Sequence, residues 1–341
     1  MSRCVMVKSA ISFKCVYCLF TFFIPLLLGP AAGNTNVELF EELIRFYYNN
    51  GEFNGCVLIA QNGEIIYEKA LGYCDYTRSE RLTTNFQFRL ASISKQFTAM
   101  AIMILKGRGL LDYDDPMVKY FHDFPYKRVT IRHLLTHTSG LPDYGSLLAR
   151  ERESDGLKKQ VVSNKDVYNL LLKYVPPEKY TAGDNYEYSN TGYNILALLV
   201  ERINGQSFQD FTAENIFGPL EMRNSYVNPP DGLLNDEHRA KGFILNTDGT
   251  RYVARDWHYQ NGLYGDGGVI STVHDLLLWD IAPHLWQGTI TLEKDYKIEY
   301  KITRGSWESE ALYEKGIIPD NFFFTVSLDD KKSTFKPWIN C

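Results

Sequence analysis

The 341-residue sequence predicts an α+β fold in which a mostly helical subdomain, about residues 109–262, interrupts a sheet part formed by about 38–108 and 263–341. Three observations predict it. A helix-spaced stretch and then a hairpin signal open the chain. At about Gly109 the pattern changes to short helical pieces broken by proline, glycine and asparagine, and strand-like text returns near the end. With 45% hydrophobic and 14% aromatic residues, the chain can bury a large core.

The elements follow in order. Residues 1–33 carry Arg3, Lys8 and Lys14 but no acid, then the apolar run "CVYCLFTFFIPLLL" and the small-residue tail "GPAAG". That is the order of a secretory signal peptide, and the run is short for a membrane span. A secreted or periplasmic protein is therefore expected, with an uncleaved N-terminal anchor as the other reading of the same segment. "VELFEELIRFYYNNG" has helical spacing and stops at Gly51. "GCVLIAQNGEIIYEKALGY" reads as two strands joined at Asn62-Gly63. From Phe97 to Leu105 the chain is apolar on every side, which predicts a buried helix with Ser92 at its N-terminus and Lys106 and Gly107 at its end.

The helical region contains "YDDPMVKYF", "VTIRHLLTHTSGLPDY", "NKDVYNLLLKYVPPEK" and "NTGYNILALLVERINGQSF". In the last of these a helix from about Thr191 to Ile203 ends at Asn204-Gly205. "GDGGVISTVHDLLLWD" gives a glycine-rich turn and then Thr272 to Asp275, spaced as a capping box. "NFFFTVSLDD" reads as a strand. No internal repeat, low-complexity tract or flexible linker stands out.

Composition narrows the chemistry. Without the leader, 33 basic residues face 41 acidic ones, a balance that argues against nucleic acid as a partner. Cys4, Cys15 and Cys18 leave with the leader, and Cys56, Cys74 and Cys341 remain as an odd, widely spaced set that implies no disulfide framework. His133 and His137 stand four apart, but Leu134 occupies the place where a zinc protease needs Glu, and no cluster completes a ligand set. No metal and no cofactor is expected.

A nucleophilic serine needs a base within reach and positive potential for the oxyanion. In Ser92-Ile93-Ser94-Lys95 the spacing puts the lysine amine beside the serine hydroxyl on one helix face. Burial favours the neutral amine, which can accept a proton, and the helix N-terminus adds partial positive charge. The competing structural reading is an ordinary helix cap with a solvated lysine. Ser333-Thr334-Phe335-Lys336 has the same spacing, but Pro337 follows it and no apolar helix does, so it is expected to be inert. Tyr188-Ser189-Asn190 precedes a helix, where the phenol can shuttle a proton and the amide can bond both a lysine and a substrate carbonyl. Tyr47, Tyr48, Tyr226 and Tyr259 also open Tyr-x-Asn triplets, so the triplet counts only in its context.

Together "FRLASISKQFTAMAIMIL", "LLTHTSGLPDY", "YEYSNTGYNILALLVE", "IFGPLEMRNSY" and "GDGGVISTVHDLLLWD" resemble the serine beta-lactamase and penicillin-binding-protein-like hydrolases, nearest to class C beta-lactamases and related esterases. The likeness runs from about residue 38 to 280. It implies a beta-lactamase/DD-peptidase-like domain over residues 34–341, an antiparallel sheet flanked by helices with the active site in the cleft beside the helical subdomain. It also implies roles: Ser92 as acylated nucleophile, Lys95 as its proton partner, Tyr188 as general base or acid, and Asn190 as a positioning amide. "HTSGLPDY" is implied to be structural. The chain has no G-x-S-x-G elbow to support a Ser-His-Asp mechanism around His137, and His274 and Asp275 fit a helix start.

One motif departs from the family. Its third element, Lys-Thr-Gly or His-x-Gly on a strand beside the nucleophile, is missing after Asp275. The best positional match is "ITRGSW", with Thr303, Arg304 and Gly305 as the substrate-binding strand. Two function classes follow. One is a secreted serine acyl-hydrolase taking a small-molecule ester, a beta-lactam or a D-alanyl peptide. The other is a non-catalytic penicillin-binding-like protein that holds peptidoglycan-type or other acyl ligands in the same cleft.

Overall fold

Helix α1 (Gly33–Asn49) leads into β1 (Gly55–Gln61) and β2 (Glu64–Leu71), an antiparallel hairpin. The computed structural model describes residues 33–281, except 62, 76–79, 154–160, 233–237, 247–251, 255 and 257–258, together with strands at 297–300 and 322–325. The hairpin turns where the sequence predicts it. Gly63 holds a φ of +84°, a conformation that costs glycine no Cβ clash.

Strand β3 (Tyr73–Asp75), β4 (Glu80–Arg81) and β5 (Phe88–Arg89) precede helix α2 (Ser94–Gly107). Then come α3 (Ile131–Leu135), α4 (Tyr144–Glu153), α5 (Asn164–Tyr174), α6 (Asn190–Asn204) and α7 (Phe208–Thr212). Strands β6 (Tyr226–Val227), β7 (Phe243–Leu245), β8 (Tyr252–Ala254) and β9 (Val269–Ser271) follow, and α8 (Val273–Ile281) closes the main described span. Strands β10 (Lys297–Tyr300) and β11 (Phe322–Thr325) pair antiparallel. The second of these falls inside the predicted strand "NFFFTVSLDD".

The fold is α+β, as expected, but the described strands form several small antiparallel ladders. These are β1-β2, β3-β4, β7-β8, β10-β11 and the three-stranded β5-β9-β6. Strands β5 and β6 are two residues each, too short to extend the pairing.

Strand β1 shows why its sequence is apolar without alternation. Val57 and Ile59 pack with Phe40 and Ile44 of α1, while Cys56, Leu58 and Ala60 point the other way onto Val273 and Leu277 of α8. Both faces are covered by helices, so a continuous apolar run is what a strand in that place requires. Each such aliphatic side chain taken out of water stabilises the fold by about 1.5–3 kcal/mol.

The largest core lies among α2, α5, α6 and α7, with Phe97, Ile102, Leu105, Leu171, Leu196, Leu199, Phe208 and Phe211 fully buried. Helix α2 is the centre of this core, as its apolar sequence predicts. Start signals act where they are read: Ser189 caps α6 by accepting from the Gly192 N–H, and Gly205 ends that helix in the left-handed conformation. At α8, Thr272 Oγ1 accepts from the Asp275 N–H at 3.2 Å. The Asp275 carboxylate does not complete a reciprocal box; its Oδ2 accepts from the Asn224 N–H and Ser225 Oγ, tying the helix start to the turn before β6.

Candidate active site

Three segments meet at the N-terminus of α2. Ser92 sits in a single 3-10 turn, Ala91 to Ile93, and the α-helix proper begins two residues later at Ser94. This differs slightly from a helix opening on the serine itself, because the first turn is wound tighter. Ala91 holds a φ of +48°, unusual for a residue with a side chain, so the turn that presents Ser92 is locally strained.

The segment Gly265–Gly268 is stitched along this helix end. Ser94 Oγ accepts from the Val269 N–H at 2.9 Å, Thr98 Oγ1 donates to the Gly265 carbonyl at 2.7 Å, and Lys95 Nζ donates to the Asp266 carbonyl at 2.8 Å. Position 265 must be glycine here. Its φ is +93°, and a Cβ would come within 2.5 Å of the Tyr193 carbonyl oxygen.

The third segment is the start of α6. Tyr188 donates its hydroxyl to Ser92 Oγ at 2.7 Å, and Asn190 Oδ1 accepts from Lys95 Nζ at 2.8 Å. Lys95 Nζ also donates to Ser92 Oγ at 3.1 Å. The ammonium therefore has a partner for each of its three N–H bonds, all oxygen and none a carboxylate. Lys95 is buried at 5% exposure. Burial brings its pKa down to about 8, against the opposing pull of Asp266 and Asp143. An amine so placed changes charge near neutral pH and can exchange a proton with the Ser92 hydroxyl.

The sequence-predicted Ser92, Lys95, Tyr188 and Asn190 are thus brought together. Thr303, Arg304 and Gly305 lie outside the described residues, as does the second Ser-x-x-Lys at Ser333. Other Tyr-x-Asn triplets stand elsewhere: Tyr48 Oη accepts from Arg81, and Tyr259 lies beneath the Arg152 guanidinium at 4.0 Å. His274 Nε2 is 3.1 Å from Glu68, on the sheet side.

"HTSGLPDY" is structural, and the structure shows how. His137 adopts a φ of +58° and accepts the Ser189 N–H on Nδ1 at 3.1 Å, while its ring stacks on that of Tyr188 with centroids 4.6 Å apart. Burial, and then the Lys95 charge, push the imidazole down to about 4, so it is neutral and its Nδ1 stays an acceptor. Thr191 Oγ1 donates to the Pro142 carbonyl and accepts from the Tyr144 N–H, both at 2.8 Å. His133 belongs to a cap, with Nδ1 accepting from the Thr130 N–H.

Two residues near the lysine escaped the sequence reading. The Tyr144 hydroxyl donates to Asp266 Oδ2 at 2.9 Å, and Asp266 is buried. The only signal for Asp266 is an acid inside a glycine-rich turn, which also suits a solvent-exposed loop.

The beta-lactamase family model matches residues 40–322 of the chain. The chain belongs to the beta-lactamase family. It is 37% identical to a penicillin-binding protein of Bacillus subtilis (strain 168) over 239 residues, 68% of this chain and 52% of that relative. A D-aminopeptidase of Brucella canis is 26% identical over 231 residues, 66% of this chain and 42% of the relative. Among solved structures, the octameric penicillin-binding protein homologue from Pyrococcus abyssi matches with a TM-score of 0.61 at 28% identity, covering 73% of this chain and 55% of that one. The chain spans about half the length of the curated relatives it matches.

Proposed function

We propose that this member of the beta-lactamase family is a serine acyl-hydrolase that acts outside the cytoplasm through an acyl-enzyme on Ser92. The observation that carries the reading is that Ser92 Oγ is bonded by both the Tyr188 hydroxyl and the Lys95 amine, at the positively polarised start of a buried helix. With Lys95 neutral, Ser92 Oγ attacks the substrate carbonyl carbon and its proton passes to the amine. The carbonyl π bond becomes an oxyanion, held by the Ser92 N–H. The Tyr188 hydroxyl, beside both groups, returns a proton to the leaving oxygen or nitrogen as the bond to the acyl carbon breaks. Water then adds to the ester on Ser92 with the same groups taking its proton, and Ser92 regains its hydrogen as acid product leaves.

The Asn190 amide has its oxygen on Lys95, so its NH2 is the donor left for a substrate carbonyl. Substrates are proposed to be small acyl compounds: an ester, a beta-lactam or a D-alanyl peptide. A D-aminopeptidase among the relatives supports amide cleavage within that set. Secretion rests on the basic, apolar and small-residue order of residues 1–33. The test is labelling of the purified chain with a fluorophosphonate and a fluorescent penicillin, followed by peptide mapping. Adduct on Ser92 is expected; stoichiometric adduct on another serine overturns the assignment.

A further inference from the structure

Asp266 is buried with its main chain against Lys95, and the chemistry of Ser92, Lys95 and Tyr188 has no use for its carboxyl. Asp266 is 7% exposed. Its main-chain oxygen takes Lys95 Nζ, and its Oδ2 takes the Tyr144 hydroxyl. A buried acid with this much dedicated solvation is expensive to build and is expected to do something.

The groups facing Lys95 come from every neighbouring element. The start of α6 contributes Tyr188, Asn190 and the Tyr193 ring; residues 137–143 contribute His137 and Asp143; residues 265–268 contribute Asp266; and its own helix end contributes Ser92. His137 is neutral near pH 7. Asp143 is exposed and its Oδ1 accepts from the Gly145 N–H, so water and salt screen it. Asp266 is the carboxyl in this set that solvent does not screen.

We propose that Asp266 is a positioning residue for acylation: its carboxylate, solvated by the Tyr144 hydroxyl, holds Lys95 in the cationic resting form and sets the pH at which the amine turns into a base. The inference rests on the reading of Ser92 as nucleophile. Burial pushes the Asp266 carboxyl up, and the Lys95 charge and then the Tyr144 hydrogen bond oppose that rise, so the two groups titrate as a coupled pair. Removing the acid leaves Lys95 with desolvation, neutral acceptors and the solvent-screened Asp143, and the amine gives up its proton at lower pH.

The experiment is a titration of the full chain with isotope-labelled lysine side chains by NMR, the Lys95 signal being assigned by its loss in Lys95→Ala. Wild type, Asp266→Asn, Tyr144→Phe and the double variant are compared, each first checked by circular dichroism. Asp266→Asn is expected to lower the Lys95 midpoint by about one pH unit or more, the size of effect that removing a neighbouring buried charge produces. Tyr144→Phe is expected to lower it less, and the double variant no further than Asp266→Asn. The acid limb of Ser92 labelling by fluorophosphonate should move with the midpoint. A Lys95 midpoint that stays in place or rises in folded Asp266→Asn overturns the proposal. Should that variant not fold, an unchanged midpoint in Tyr144→Phe does the same. A midpoint that moves as expected while the wild type labels at no pH supports the coupling and overturns the Ser92 reading instead.

Discussion

Tyr188 and Ser92, 96 residues apart in the chain, meet through a 2.7 Å hydrogen bond from the phenol to Oγ. The Lys95 amine reaches the same oxygen from three residues along the helix, so one hydroxyl is gripped from a local and a distant partner. A cap serine with a solvated lysine does not require this. The arrangement also has a direct chemical consequence, because a neutral Lys95 amine can take the serine proton while the Tyr188 hydroxyl steadies the oxygen.

Covalent labelling is expected to be confined to Ser92. Ser92→Ala should abolish fluorophosphonate adduct, while Ser333→Ala should leave its rate and stoichiometry unchanged. The two serines share a spacing, but Ser92 is followed by a buried helix with its lysine inside, whereas in the sequence Pro337 follows Lys336 directly. Mass spectrometry of the intact chain decides it, and adduct persisting in Ser92→Ala would count against the nucleophile.

Lys95→Ala and Tyr188→Phe should each slow labelling by about a hundredfold or more, the usual scale for losing a general base or acid. Tyr226→Phe should change it little. In the wild type the rate should climb with pH through about 8, because the neutral form of Lys95 is the one that accepts a proton. Circular dichroism must show each variant folded. Wild-type rates in either variant, or a rate that falls across that pH range, would remove Lys95 and Tyr188 from the proton path.

His137 is expected to link stability to acid pH. Its folded pKa, about 4, lies below the ordinary 6.5 it regains on unfolding, so the unfolded chain binds the extra proton between those values. Stability from this group is complete above about pH 6.5 and is lost as pH falls toward 4, on the order of 1–3 kcal/mol in all. His137→Gln should flatten that part of the profile and, through the lost ring under Tyr188, slow labelling. Urea midpoints at pH 7.5, 5.5 and 4.5 measure it; equal slopes in variant and wild type would show that the imidazole is not held neutral.

What was legible in the sequence follows from what local pattern encodes. The hairpin at Gly63, the all-round apolar α2 and the α6 helix ended by Gly205 each carry their own period and punctuation, and each stands where the pattern puts it. Ser92, Lys95, Tyr188 and Asn190 were legible through motif and context together, since each sits at a helix entrance. Asp266 and His137 were not readable as neighbours of the lysine. Their roles arise when three segments far apart in sequence pack at one helix end, and neither an acid among glycines nor a histidine after a short helix signals that by itself. Arg239 makes the same point in the scaffold: its side chain is wholly buried and forks onto both oxygens of Asp256, a pairing that no local pattern announces.

The absent third motif leads to the last expectation, that small activated esters are turned over better than beta-lactams. The family uses a Lys or His on the third strand to hold the carboxylate of a beta-lactam or peptide, and in this sequence the best positional match to that motif carries Thr303 and Arg304 instead. An ester without a carboxylate loses least from the change, because its transition state needs only the oxyanion donors and the Ser92, Lys95 and Tyr188 chemistry. Arg304 works in the opposite direction, since a guanidinium can clamp a carboxylate through two parallel hydrogen bonds and so restore acidic substrates. The comparison is kcat/KM for p-nitrophenyl butyrate against a chromogenic cephalosporin, each divided by its rate of hydrolysis in buffer, in the wild type and in Arg304→Ala. The ester is expected to lead in both proteins, and the gap is expected to widen in Arg304→Ala as the remaining cephalosporin turnover falls. A cephalosporin preference that Arg304→Ala leaves untouched would mean that the carboxylate is bound by some other group, and residues 303–305 would then no longer be the substrate-binding strand.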